Sequence, residues 1–131
     1  MINIKFYLVC RLDYGINTGT YGVATLPDKD NVEREIYLHT DKNNNNLLPV
    51  PKFYWKIIYN KRKKMGIALV GINNPHLKKI PKDYVLCRSE GRMCKDFMSK
   101  IKNSTNIKKG YIYCCRMRQF LKITEYENVF K

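Results

Sequence analysis

The sequence predicts an α+β domain, mainly an antiparallel sheet with a few short helices, and three observations carry that prediction. Lys52–Asn60 alternates, with Phe53, Trp55, Ile57 and Tyr59 on one face and Tyr54, Lys56, Ile58 and Asn60 on the other. Gly66–Ile72, GIALVGI, is an almost unbroken apolar run, the pattern of a strand covered on both sides. The polar turn Lys61-Arg62-Lys63-Lys64 joins the two, so they read as the antiparallel pair at the centre of the sheet. Helical spacing is confined to short stretches near the C-terminus.

The remaining elements follow in chain order. Met1–Cys10 reads as an edge strand or the remnant of a helix. Its apolar part is broken by Lys5 and followed by Arg11 and Asp13 without a small-residue cleavage site, so it is not a signal peptide. The expectation is a cytoplasmic protein or one whose true start lies upstream. Tyr14-Gly15 is a turn, and Ile16–Leu26 a strand in which Gly19 and Gly22 mark close backbone approach. Pro27–Asn31 turns the chain, and Glu35–His39 is the return strand of that hairpin. Asp28 and Asp30 are spaced like the start of a calcium loop, but the glycine and bidentate glutamate are missing, so they read as a solvated tip. Asp41–Asn46, DKNNNN, is a flexible loop of the kind an insertion leaves.

Asn73-Asn74-Pro75 stops the second central strand, since proline cannot donate to a ladder. Leu77–Lys82 is a basic loop and Tyr84–Cys87 a short strand. Asp96–Asn103, with Phe97, Met98 and Ile101 at helical spacing, is either a short helix or an anchored loop. Tyr111–Cys115 is strand-like, and Met117, Phe120 and Leu121 share one side of a terminal helical turn. Neither a repeat nor a linker divides the chain, so residues 1–131 form a single domain or part of one.

Composition limits the function. An apolar fraction of 44% is ordinary for a globular protein, whereas 25 Lys and Arg against 11 Asp and Glu give a formal net charge of +14. Such a surface attracts polyanions, nucleic acid above all. Anionic membrane is the competing partner, but no stretch approaches the ~20 apolar residues of a span and no long basic amphipathic helix is present. Cysteines stand at 10, 87, 94, 114 and 115, none at Cys-x-x-Cys spacing, which argues against zinc. The pair Cys87 and Cys94 and the pair Cys114 and Cys115 are placed to form disulfides between segments, in either combination, leaving Cys10 over.

The candidate binding surface is the polar face of the first central strand and the turn after it. Lys52, Tyr54 and Lys56 mix cations with an aromatic ring, and Lys61, Arg62, Lys63 and Lys64 extend the charge. Lys78, Lys79, Lys108 and Lys109 add to it if they fold nearby. Lysine is a point charge, so contact with the phosphate backbone rather than base readout is expected. The plainer reading is a solvated sheet residue at Lys56 and a hairpin tip at KRKK, a run that also fits a short nuclear-localisation signal. His76 reads as a structural loop residue, and no local motif supports a Cys–His nucleophile.

Several of these residues also carry a likeness. Pro51, Trp55 and Lys56, followed by an apolar strand ending at Asn73, resemble the central pair of the DNA/RNA non-specific endonuclease family, the group that includes endonuclease G, and most of all its secreted insect members. Thr18, Gly19 and Gly22 fall on the family's T-G-x-x-G strand, and the likeness covers residues 16–121. It implies a ββα-metal nuclease that cleaves DNA and RNA. In that family a histidine of an Asp-Arg-Gly-His motif activates water, and an asparagine on the next helix holds a magnesium ion. Neither His39 nor His76 follows an Arg-Gly pair, so the resemblance assigns no catalytic residue and no metal ligand to this chain. It places the chain just downstream of the catalytic helix. The late Tyr-Cys-Cys sequence, shared with the secreted insect nucleases, implies secretion into an oxidising compartment. The expectation is therefore the nucleic-acid-binding part of a magnesium-dependent endonuclease, with DNA and RNA as partners. The alternative is a catalytically inactive basic binding protein.

Overall fold

A computed structural model of the chain describes residues 13–126 except 89 and 90. The expectations for Met1–Cys10 and the unpaired Cys10 lie outside the described residues. The fold is the expected α+β arrangement, mostly antiparallel sheet with two short α-helices. Its centre is a four-stranded sheet in the order β1-β6-β7-β8, formed by Tyr14–Val23, Pro51–Asn60, Met65–Ile72 and Ile112–Arg116. All its pairings are antiparallel.

The central hairpin β6–β7 forms as its residues dictate. Its register sets Trp55 opposite Val70 and Ile57 opposite Ala68, which puts the apolar alternation of β6 on one face. On that face Phe53, Ile57, Ala68, Val70 and Ile72 are buried with Tyr113 and Cys115, and Phe120 and Leu121 close over them. Trp55 reaches across β1 above Gly19, packs 5.6 Å from the Phe120 ring, and donates from Nε1 to the Thr20 carbonyl at 3.2 Å. Phe120 and Leu121 come from the second helix, α2, Met117–Thr124.

The opposite face, read from the sequence as the polar one, is only partly open. Ile58 is only 4% exposed, and with Ile67, Leu69 and Cys114 it forms a second core. The helix α1, Arg92–Met98, covers this half of the face, with Cys94 turned inward and Phe97 and Met98 packed beside it. The helix begins earlier than the Asp96–Asn103 reading placed it. The Cys94 anchor fixes its start, and beyond Met98 the chain passes through turns to Asn103, whose φ is +58°.

Residues 24–50 form an excursion of two small hairpins. The single strand read over Ile16–Leu26 breaks at buried Ala24, and only Thr25–Pro27 (β2) turns back to pair with Glu33–Glu35 (β3). Tyr37–Thr40 (β4) instead pairs with Asn46–Pro49 (β5), so the return strand predicted at Glu35–His39 splits between both hairpins. Three backbone bonds tie the stems together: Ala24 N to Val50 O at 2.7 Å, Ile36 N to Ala24 O at 2.9 Å, and Val50 N to Ile36 O at 2.9 Å.

Both tips are built the same way. Asp28 Oδ1 accepts from the amides of Asp30 and Val32, and Asp41 Oδ1 from those of Asn43 and Asn45, while Asn31 and Asn44 supply the left-handed residue. These bonds hold both carboxyls below the usual carboxylate range, the Val32 amide acting most on Asp28 and the Asn45 amide most on Asp41. The DKNNNN stretch is thus a formed turn rather than a featureless loop.

Tyr84–Cys87 is not a strand. Lys82–Tyr84 is a 3-10 turn, and the backbone beyond it bonds to a side chain instead of a ladder. The Tyr113 hydroxyl donates to the Tyr84 carbonyl at 2.8 Å and accepts from the Leu86 amide at 3.2 Å. Cys87 is thereby presented to Cys115. Two disulfides result, Cys87–Cys115 and Cys94–Cys114. Adjacent residues of a strand point to opposite faces, so the neighbours Cys114 and Cys115 fasten β8 to a cover on each side of the sheet.

Candidate nucleic-acid interface

The polar face of β6 stays open where α1 does not reach. Across the strands, Thr20 and Gly71 flank Tyr54, and Thr18 and Leu69 flank Lys56. Thr18, Thr20 and Tyr54 are exposed and Lys56 half-exposed. Tyr54 is 38% exposed beside a glycine that offers no side chain to cover it. The result is a shallow strip of hydroxyls, one ring and one ammonium.

Lys52 behaves differently. Its Nζ lies 2.9 Å from Asp83 Oδ2 and 4.2 Å from the centre of the Tyr84 ring. The lysine hydrogen bond holds Asp83 below the usual carboxylate range. Lys52 is therefore already paired, in a surface ion pair with exposed Asp83, and differs from Lys56 in availability.

The Lys61–Lys64 turn is exposed and its backbone is fixed. Asn60 Oδ1 accepts from the amides of Arg62 and Lys63, each at 3.0 Å, and the Lys61 amide donates to the Asp13 carbonyl at 2.8 Å. Lys64 takes the left-handed conformation, φ +50°. Arg62 pairs with Asp13 at 3.1 Å, an exposed ion pair of little strength. The remaining lysines project from an ordered tip.

Lys78, Lys79, Lys108 and Lys109 are also exposed, but they precede or follow strand ends near Ile72 and Ile112, opposite the β6–β7 turn. The basic charge is spread over both ends of the sheet instead of being drawn into one patch. His39 is exposed on β4 opposite Leu47, and His76 is exposed with its amide bonded to Asn74 Oδ1 at 3.0 Å. Among the described residues, no three His, Cys, Asp or Glu side chains come together to hold a metal ion. Nor does any helix among them reach the length and apolarity needed to cross a membrane.

The sequence reading missed one site. Beside the β6–β7 turn lies a cleft of about 620 Å³, bordered by Lys63, Lys64, Arg92, Arg116 and Arg118. A signal for it was present: Arg92 stands two residues before Cys94 and Arg116 two after Cys114. The disulfide between those cysteines draws both arginines to one place.

The class of protein follows from these features: a basic antiparallel-sheet domain clamped by disulfides on both faces. Residues 11–120 match the DNA/RNA non-specific endonuclease family, and the chain belongs to that family. It is 28% identical to the "Salivary endonuclease" of Lutzomyia longipalpis over 87% of this chain and 26% of that protein. It is 30% identical to the "Salivary protein Tsal1" of Glossina morsitans morsitans over 63% of this chain and 19% of that protein. The chain thus spans about a quarter or less of the length of these relatives. No solved structure matches it.

Proposed function

We propose that this chain is the nucleic-acid-binding part of a metal-dependent DNA/RNA non-specific endonuclease. The observation that carries the reading is the match of residues 11–120 to that family. The net charge of +14 supports it, as do the open strip of Tyr54 and Lys56 and, beyond the stretch of the face that α1 covers, the exposed turn of Lys61, Arg62, Lys63 and Lys64. Lysines grip phosphates as point charges, so binding is independent of sequence and embraces both DNA and RNA. Lys52, paired with Asp83 at the surface, contributes less charge to the ligand.

Magnesium is the metal this reading implies. The residues present do not make a site for it: they contain neither an Asp-Arg-Gly-His motif nor, among those described, a cluster of three donors. No step of hydrolysis is therefore assigned to them. Secretion is part of the proposal too, supported by the paired disulfides and the salivary names of the relatives. A second reading, a basic protein that holds nucleic acid without cutting it, draws on the same net charge of +14.

The test is fluorescence anisotropy of the oxidised 131-residue chain with labelled oligonucleotides over a salt series, alongside plasmid and RNA cleavage assays with magnesium. Expected are binding at low salt that weakens steeply as salt rises, and no cleavage by this chain alone. Binding that is absent at low salt, or indifferent to salt, sinks the proposal. Cleavage by the chain itself removes the second reading.

A further inference from the structure

We infer that the cleft beside the β6–β7 turn is a nucleotide pocket that selects single strands, taking an unstacked base into its floor and the flanking phosphates on its rim. This rests on the nucleic-acid reading above and adds to it a site away from the Tyr54–Lys56 strip. The cleft's volume of about 620 Å³ lies inside the roughly 300–1,000 Å³ range of small-molecule sites. Its wall combines two chemistries. The rim holds the cations Lys63, Lys64, Arg92 and Arg118, all exposed. The interior is apolar: Ile67 and Met117 line it and are buried, and Met65 and Met93, 53% and 40% exposed, line it beside them.

Charge complementarity names the occupant's outer part, since clustered arginines and lysines suit phosphate. The methionines name its inner part. Thioether sulfur makes favourable contacts with flat aromatic rings and adapts to their shape, so a base fits where a water-covered ion would leave the floor unsatisfied. A duplex keeps its bases stacked and paired and offers only phosphates; a single strand can turn a base inward.

The cleft is also held in shape. The Cys94–Cys114 bond joins the segment bearing Arg92 and Met93 to the strand bearing Arg116. Gly91, at φ +111°, lets the Arg116 guanidinium lie against its backbone, where a β-carbon would come within 2.9 Å of Nε. Asn60 fixes the turn that presents Lys63 and Lys64.

The experiment compares the oxidised chain with R92E/R118E and with Met93→Ala, each substituted residue being exposed. Circular dichroism and thiol counts confirm their folding. Anisotropy is measured on a labelled deoxythymidine 12-mer and on a duplex of equal charge. The charge variant is expected to lose ~10-fold or more in single-strand affinity and to flatten the salt slope by about 1.4, the worth of two single-strand phosphate contacts. Met93→Ala is expected to weaken the single strand and leave the duplex unchanged. In a methyl NMR titration, thymidine monophosphate should shift Met65 and Met93, and inorganic phosphate should not.

Unaltered single-strand binding in both variants, with the oligonucleotide instead perturbing Tyr54, overturns the pocket and leaves the strip reading standing. Failure of the unsubstituted chain to bind either oligonucleotide overturns both. Equal methyl shifts with phosphate alone reduce the cleft to a general anion site and overturn its selection of a base.

Discussion

Tyr113 shows how much one side chain can organise. Its hydroxyl closes the 3-10 segment by bonding to Tyr84 and Leu86, and burial pushes its pKa up to about 12. Below pH 10 the phenol is neutral folded or unfolded, and its contribution to stability is complete. Between pH 10 and 12 the unfolded chain releases the proton and the folded chain keeps it, so stability falls as pH rises through that window. Urea titrations across it should show the midpoint dropping, and Tyr113→Phe should flatten that drop while costing about 1–2 kcal/mol at neutral pH. Gly19 makes a different residue-level point. A β-carbon there would collide with the Trp55 ring, so Gly19→Ala should destabilise by about 1–3 kcal/mol. Gly71→Ala, where the nearest atom would be 3.7 Å away, is the matched control and should change the denaturation midpoint little.

At the scale of elements, the disulfides do what the short helices cannot do alone. α1 has seven residues, too few to persist without packing, and Cys94 ties it over Ile58 and Ile67. Replacing Cys94 and Cys114 by serine should cost about 3 kcal/mol and expose that second core, read as a lowered urea midpoint with new binding of a hydrophobic dye. Legibility in the sequence divides along the same line. The β6–β7 pair announced itself because alternation and an apolar run are local patterns, and Met117, Phe120 and Leu121 at helical spacing foretold the closing helix. Tyr84–Cys87 looked like a strand because nothing local shows that Tyr113, far along the chain, occupies its backbone. Burial of Ile58 was hidden likewise, since α1 arrives from residues 92–98. In the candidate site, the Lys61–Lys64 turn was readable as a charge run. The cleft was not, because its wall comes from three separated segments that meet only through folding and a disulfide.

For the whole molecule the governing quantity is charge. With a net charge of +14 and exposed lysines described at both ends of the sheet, a long polyanion finds cations at either end, which suits capture without sequence preference. Reversing Lys56 alone to glutamate should therefore weaken binding by less than ~10-fold, and equally for DNA and RNA of any sequence. The salt slope, taken from anisotropy at several ionic strengths, should fall by about one phosphate contact. A base-dependent loss would show that Lys56 reads sequence and would contradict the proposed mode.

The adjacent cysteines of β8 also act as a check on alignment. A slip of that strand by one residue would turn Cys114 toward Cys87 and Cys115 toward Cys94, interchanging every side chain between the two cores. Oxidation in the native arrangement forbids that slip covalently. Once both bonds close, the border strand can neither shift nor invert, and the error most natural to a β-ribbon is removed from the molecule's repertoire.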